Sequence, residues 1–299
     1  MSKIFISGLL NVETSLKVNN FPVEYNPIEY PFFGVSLMVS GVGYNIAKAL
    51  KTLDDDIFLF SVIGNDTCGD LIKNTLKGDN IDISNIRCDI SETPMSVNLF
   101  DHTGRRKIYC DLKDIQDYKA YDVDSVASDP KSFNLAVLTN INFSRDFIRV
   151  FKENNVLIAS DVHVLSSVDD EYNKDFLENA DILFLSNEAI YDHEAEFMKE
   201  IYQRYNNKII VCGCGDKGAL MYIGIEDKYY YEPAVAPKGV NSTLGAGDAL
   251  FSSFIHFYNK GERVDKCLKL AVLFAGLKIS SQGGSSGFVS EKELLDINK

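Results

Sequence analysis

The feature that most constrains the fold is an alternation of short apolar runs with stretches of helical periodicity. Apolar runs of about four to eight residues are typical of strands buried on both faces of a parallel sheet, and the helices between them supply the crossover connections. The pattern therefore predicts an α/β fold with a mainly parallel sheet covered by helices. The predicted strands lie near 3–10, 57–63, 135–138, 155–160, 182–185 and 208–213, with an antiparallel pair at 218–223 and 227–232, and the predicted helices lie near 43–53, 68–77, 144–153, 194–204, 247–259 and 264–280.

Within the first 110 residues a different pattern interrupts this alternation. Two short alternating segments, 94–100 and 105–110, flank the turn-forming sequence Asp101-His102-Thr103-Gly104 and predict a β-hairpin. The proline-spaced stretch 21–31 predicts a loop or an edge strand, because proline cannot donate to a central ladder. These segments together predict a small β appendage on the α/β core.

Charge and hydropathy exclude several classes of function. The 299 residues include 30 Lys and Arg against 43 Asp and Glu, a net charge of −13, so an extended nucleic-acid or anionic-membrane surface is not expected. No apolar run approaches the ~18 residues of a membrane span, and the N-terminus is too polar for a signal peptide. We therefore expect a cytoplasmic protein with no nucleic-acid or membrane partner.

The first of three glycine-rich stretches, at 40–47, places a glycine pair at the start of a predicted helix. A dinucleotide fingerprint would require a third small residue where Ile46 stands, so that reading is disfavoured. Gly41 and Gly43 allow the backbone to approach a polar ligand closely, with the Asn45 amide as a hydrogen-bonding arm. The alternative is that they only permit a sharp turn.

The second stretch, Gly245-Ala246-Gly247-Asp248, opens an apolar helix. The first amides of a helix lack intrahelical acceptors and the helix dipole favours an anion there, so this is a candidate anion hole. Asp248 has two interpretations. It either stabilises the helix dipole or, beside a bound phosphate, takes a proton from an attacking hydroxyl.

The third stretch, at 211–220, predicts a strand, a glycine loop with Gly215 and Gly218, and a second strand. It is either a ligand loop or only a hairpin turn. No Gly-Lys-Ser/Thr sequence occurs, which disfavours a P-loop, and neither the six cysteines nor the four histidines have the spacing of a zinc site.

Taken together, these stretches resemble the ribokinase-like (PfkB) carbohydrate kinase family over essentially the whole chain. The resemblance implies a single kinase domain over 1–299, with a three-layer α/β/α core and a small β-sheet lid from about 12–40 and 90–112. It also implies transfer of the γ-phosphoryl group of ATP, with Mg²⁺, to a hydroxyl of a sugar or nucleoside. The segments that carry it are 8–13, 40–45, 62–69, 185–188, 215–220 and 245–248.

The family pattern also implies roles for individual residues. Asp248 corresponds to the base, and the amides of Gly245, Ala246 and Gly247 to donors that stabilise charge on the transferring group. His163 follows a strand at the ligand-binding edge of the sheet and is either a substrate contact or a structural histidine. The implied substrate-binding positions are Asn11, Glu13, Gly41 and Asn45, and the implied nucleotide-binding positions are Asn187, Gly215, Gly218 and Thr243.

On the substrate side the sequence departs from the family pattern in two ways. Glu13 stands where members often carry Asp, so we expect a reshaped pocket. Val42 stands where members acting on phosphosugars often carry Lys, so an unphosphorylated substrate is expected unless Arg105 and Arg106 of the hairpin compensate. The run 242–245, by contrast, resembles the phosphofructokinase-type branch.

Two further departures concern cations. Ser242 stands where many sugar kinases carry an Asp that helps to hold a monovalent cation, which puts K⁺ activation in doubt. Ile190 stands where the family has a metal-linked Glu, leaving Glu188, Asp192 or Glu194 as substitutes and the metal ligands unassigned.

The main hypothesis is an ATP-dependent sugar kinase. A nucleoside or pseudouridine kinase is the alternative within the same class, because Phe32, Phe33, Met38 and Phe100 could cover a base. A non-catalytic ligand-binding sensor is the competing class. The exposed sheet of the lid also suggests a homodimer.

Overall fold

In a computed structural model, which describes residues 3–103 and 105–299, nine strands form a large sheet and four form a smaller one. The large sheet has the order β13-β12-β11-β10-β9-β8-β1-β4-β5, antiparallel only at β11–β12 and β12–β13. The prediction of a mainly parallel sheet is confirmed. The strands are β1 Lys3–Ser7, β2 Asn11–Lys17, β3 Val35–Ser40, β4 Asp56–Gly64, β5 Ile86–Ile90, β6 Met95–Phe100, β7 Arg106–Asp111, β8 Leu135–Leu138, β9 Leu157–Val164, β10 Ile182–Ser186, β11 Ile209–Gly213, β12 Gly218–Ile223 and β13 Lys228–Pro233.

Helices cover both faces of this sheet, so the three-layer α/β/α arrangement is also confirmed. Alternate side chains of β1 face the two layers. Ile4 and Ile6 join the core beneath α1, α2, α8 and α9, whereas Phe5 joins the core beneath α3 to α7. The helices are α1 Val42–Thr52, α2 Thr67–Gly78, α3 Val123–Val126, α4 Asn142–Arg145, α5 Ile148–Glu153, α6 Lys174–Asn179, α7 Glu194–Tyr205, α8 Ala246–Asn259, α9 Val264–Lys278 and α10 Glu291–Ile297.

The smaller sheet has the order β3-β2-β6-β7 and contains the predicted hairpin. β6 and β7 pair antiparallel from Met95 opposite Asp111 to Phe100 opposite Arg106. Gly104, in the predicted turn, lies outside the described residues. The stretch 21–31 contains no strand, in agreement with the predicted loop.

Several boundaries differ from the predictions. The predicted strand 3–10 ends at Ser7, and the chain enters the smaller sheet at Asn11. The predicted helix 144–153 is two short helices, and between them buried Phe147 packs its ring 4.9 Å from that of Phe5. The chain also ends in an unpredicted helix, α10, which Ser290 and Glu293 begin with a reciprocal capping box.

The topology fixes where a ligand can bind. Strand β1 lies between β4 and β8, so the chain leaves it toward one side of the sheet first and returns to the other side later. In open α/β sheets such a switch point leaves a crevice at the carboxyl ends of the strands. None of the helices in the described ranges is long and apolar enough to cross a membrane.

Candidate active site

The start of α8 is built on a left-handed glycine. Gly245 has φ 74°, and a Cβ there would lie 2.2 Å from the carbonyl oxygen of Gly284, so no larger residue fits without displacing that backbone. The Ala246 amide donates to the Thr243 carbonyl at 3.2 Å and is used within the loop. Of the three predicted anion-hole donors, Gly245 and Gly247 therefore remain the better candidates.

Asp248 lies in the first turn of α8 and is 8% exposed. Its Oδ2 accepts a hydrogen bond of 2.7 Å from Nδ2 of Asn45, which joins two residues predicted from separate motifs. Burial raises the pKa of Asp248, and His163, the Asn45 hydrogen bond and Lys278 partly oppose that increase. A carboxylate with a raised pKa is a stronger base than a solvated one.

Helix α1 positions Asn45 because its first turn lies against the end of β1. Gly41, the residue before α1, has φ 101°, and a Cβ there would lie 2.4 Å from the carbonyl oxygen of Leu9. The Gly43 amide donates to the same carbonyl at 2.9 Å. The glycine pair therefore allows close backbone contact within the chain, and the Asn45 side chain of this motif reaches Asp248.

The inner face of the smaller sheet is polar. Asn11 and Glu13 of β2 are both 4% exposed, as are Ser96 and Asn98 of β6. Asn11 Nδ2 donates to Ser96 Oγ at 2.8 Å, and burial raises the pKa of Glu13 against the hydrogen bond from Ser15. Within the described residues, the Oδ1 atoms of Asn11, Asn45 and Asn98 are buried without a partner. Buried acceptors of this kind usually face a ligand or water.

Ser96 and Asn98 are site candidates that the sequence reasoning missed. The signal was present, because in β6 polar Ser96 and Asn98 alternate with apolar Met95, Val97 and Leu99. The polar residues are buried, and Met95 and Val97 are exposed. The alternation is therefore opposite to that of an ordinary core strand.

His163 and Asp161 lie at the end of β9, which continues to Val164 rather than ending near 160. The His163 amide donates to Asp161 Oδ1 at 2.8 Å, and the imidazole is 42% exposed. Asp161 is 6% exposed and raises the pKa of Asp248. The structure thus brings His163 to the Asp248 site together with Asp161, which the sequence reasoning did not single out as a site residue.

The predicted nucleotide-side residues follow β10 and β11. Asn187 is 1% exposed, and its Nδ2 donates to Glu194 Oε1 at 2.7 Å. Partial burial is the largest single influence and raises the pKa of Glu194, but the hydrogen bond from Asn187, the backbone amides of Glu194 and Asp192 and the charge of Lys217 together lower it below its ordinary value. Ile190 is buried in the core, so Glu194 is the substitute carboxylate that contacts Asn187. Gly215 and Gly218 bound the turn between β11 and β12.

The smaller sheet touches the loop before α8 through one arginine. Arg106 of β7 donates from Nη1 to Thr243 Oγ1 at 3.0 Å. Arg105 is held elsewhere, because its Nη2 donates to the Phe21 carbonyl at 3.0 Å. Only Arg106 of this pair therefore lies at the predicted nucleotide-binding position.

Lys278 is a buried cation that no motif predicted. It is fully buried at the end of α9, and its Nζ donates to the carbonyls of Leu244 and Gly283, the latter at 2.6 Å. Burial lowers its pKa to about 8. A signal existed in the helical spacing, because Lys278 continues the buried positions Ala271 and Phe274.

Comparison with known proteins places this chain in a family. Residues 1–291 match the model described as pfkB family carbohydrate kinase. A deoxyribokinase of Salmonella typhi is 24% identical over 310 residues, covering 99% of each chain, and an acarbose 7(IV)-phosphotransferase of Actinoplanes is 23% identical, covering 98% of this chain and 97% of that protein. The solved structure of a microbiome-derived acarbose kinase has TM-score 0.88 at 20% identity and covers 99% of this chain and 98% of its own. Because the family match extends over nearly the whole length, the chain belongs to the pfkB family of carbohydrate kinases.

Proposed function

We propose that this enzyme transfers the γ-phosphoryl group of ATP to a hydroxyl of an unphosphorylated sugar or sugar-like molecule. The observation that carries the proposal is the buried Asp248 carboxylate, oriented by Asn45 at the first turn of a glycine-started helix. A base beside helix-start amides is the arrangement that phosphoryl transfer to a hydroxyl requires.

In this proposal Asp248 accepts the proton of the attacking hydroxyl. The amides of Gly245 and Gly247 stabilise the negative charge on the transferring phosphoryl group. Asn45 donates to Asp248 and so orients its carboxylate toward the substrate. ATP lies along the nucleotide-side positions Asn187, Gly215, Gly218 and Thr243, between the strand ends and the loop before α8.

The residues present fit Mg²⁺ bound together with ATP. Magnesium prefers oxygen ligands and usually keeps waters and substrate phosphates in its shell, so a dedicated protein cage is not required. Asn187 and Glu194 would hold it, because the Glu194 carboxylate has a lowered pKa and stays ionised. When bound, the ion neutralises charge on the phosphates.

A sugar fits the substrate side better than a nucleoside. Asn11, Asn45 and Asn98 each leave a buried Oδ1 unpartnered beside the buried Glu13, an acceptor set suited to several hydroxyl donors. Of the four residues that could cover a base, Phe32 and Phe33 are instead 86% and 107% exposed, which favours the sugar. A sensor would have no use for a base placed at an anion site.

We also propose that 1–299 is one kinase domain in which 12–40 and 90–112 act as a lid, and that two copies associate through the outer face of that lid. Leu37, Val97 and Tyr109 are exposed neighbours on this face. A monomer mass by light scattering would exclude the homodimer. The six free cysteines suit a reducing compartment, which favours the cytoplasm.

The test is ADP release with Mg²⁺ and ATP over a panel of acceptors. Because the relatives include a deoxyribokinase and an acarbose phosphotransferase, the panel extends from pentoses to oligosaccharides and includes nucleosides and fructose 6-phosphate. We expect turnover on an unphosphorylated sugar. Turnover only on nucleosides or on the phosphosugar would replace the proposed substrate class, and none on any acceptor would contradict the proposal.

A further inference from the structure

Lys278 joins the two loops that meet at the start of α8. Its Nζ donates to the carbonyl of Leu244, the residue before Gly245, and to that of Gly283, the residue before Gly284. Gly245 and Gly284 are themselves in backbone contact, with room for no Cβ between them. The ammonium therefore fixes the backbone on both sides of the helix start.

The ammonium is held at this position without an ion-pair partner in direct contact. Throughout the described part of the chain, both of its hydrogen-bond acceptors are backbone carbonyls. The charged groups that influence it are Asp248 and Glu13, which raise its pKa, and Arg106, which lowers it, while burial is the largest effect. A buried charge costs free energy unless polar groups solvate it well. We therefore expect the buried Lys278 ammonium, close to Asp248, to have a function.

The same geometry disagrees with a monovalent-cation site. Ser242 stands where the family resemblance places a cation-holding Asp, and its Oγ accepts from the Leu244 amide at 3.3 Å. A K⁺ ion needs several oxygen ligands, and the Leu244 and Gly283 carbonyls already bind the ammonium. The residues present therefore do not fit K⁺ at this position.

We propose that the Lys278 ammonium is a built-in monovalent cation, which holds the Leu244 and Gly283 carbonyls and so positions the amides at the start of α8. It is a positioning residue, since it acts through the backbone that contacts the phosphoryl group. This inference rests on the proposed kinase function. It predicts that the enzyme needs no added K⁺.

The first test compares wild-type turnover in sodium, potassium and tetramethylammonium salts at constant ionic strength. We expect the same turnover in all three. A several-fold increase in potassium would overturn the proposal.

Variants of Lys278 test the charge itself. Lys278→Met keeps the packing and removes the ammonium, and we expect at least about a 100-fold loss of kcat, comparable to removing a transition-state donor. Lys278→Ala leaves space beside the carbonyls, so potassium or ammonium ions should restore part of its turnover but not that of the methionine variant. Lys269→Met, on the exposed face of the same helix, is the matched control and should match the wild type.

Thermal unfolding provides a readout that does not depend on turnover. Potassium should raise the Tm of Lys278→Ala above its value in tetramethylammonium and leave the wild-type Tm unchanged. The inference would be refuted if Lys278→Met turned over substrate as fast as the wild type. It would also be refuted if potassium neither stabilised nor reactivated Lys278→Ala. Absence of wild-type turnover would contradict the kinase function, whereas these Tm shifts would still decide the cation role.

Discussion

Replacing Asp248 by Asn removes the proposed base with very little change in shape. The amide oxygen of Asn can still accept the 2.7 Å hydrogen bond from Asn45 Nδ2, so the local geometry is retained. A positioned general base contributes about 10²- to 10⁴-fold, so the variant should lose about 3–5 kcal/mol of transition-state stabilisation. The free energy of unfolding should not fall, because a carboxylate only 8% exposed is replaced by a neutral group.

The assay is kcat/KM from coupled ADP release, with the ATP Kd measured by calorimetry on the same preparations. Asp265→Asn is the matched control, since Asp265 occupies the first turn of α9 and is 41% exposed. We expect Asp248→Asn to lose turnover while keeping its affinity for ATP, and the control to lose neither. Turnover of Asp248→Asn within about tenfold of the wild type would refute the assignment of a base.

Glu194→Gln should raise the Mg²⁺ concentration needed for half-maximal rate by about 10- to 100-fold, whereas Glu188→Gln should not, as a magnesium titration would show. Gly245→Ala should lower the free energy of unfolding in urea by at least about 1–2 kcal/mol, because its φ is positive and the new Cβ would meet Gly284; an unchanged midpoint would contradict the close contact. Burial lowers the pKa of Lys278 to about 8 from 10.5, so turnover should fall above pH 8 as the ammonium is lost. Between pH 8 and 10.5 the unfolded chain binds this proton more tightly than the folded protein does, so the contribution of Lys278 to the free energy of unfolding should rise with pH. Turnover that rose with pH in parallel with stability would contradict this.

The strands and helix starts that depend on residues close together in the chain could be predicted from the sequence. The apolar runs that became β1 and β10 are short and bounded, and the glycines before Asp248 specify a helix start directly. Strand β5, Ile86–Ile90, is not among the predicted strands. It lies at the edge of the sheet and carries Arg87 and Asp89, which weaken the apolar pattern.

Residues that reach the site through contacts between distant parts of the chain could not be predicted from local sequence patterns. From the sequence, Glu194 is one of three carboxylates that could substitute for the metal-linked Glu missing at Ile190. Its contact with Asn187 depends on how α7 follows β10, which the sequence does not specify. Lys278 lies 34 residues from the Leu244 carbonyl that it binds, so its helical spacing indicates burial but not the groups that bind the ammonium. Under the proposed function the net charge of −13 is compatible with ATP, because backbone amides at the start of α8 and Mg²⁺, rather than a basic surface, would meet the phosphates.

The most direct test of the central claim is ³¹P NMR of the reaction of ATP with the best acceptor of the panel. The account predicts that the γ-phosphate signal is replaced by that of a sugar phosphate ester, in equal amount to the ADP formed, and that Asp248→Asn forms neither. Release of free inorganic phosphate in place of an ester, or binding of both ligands by the wild type without any ADP, would contradict it.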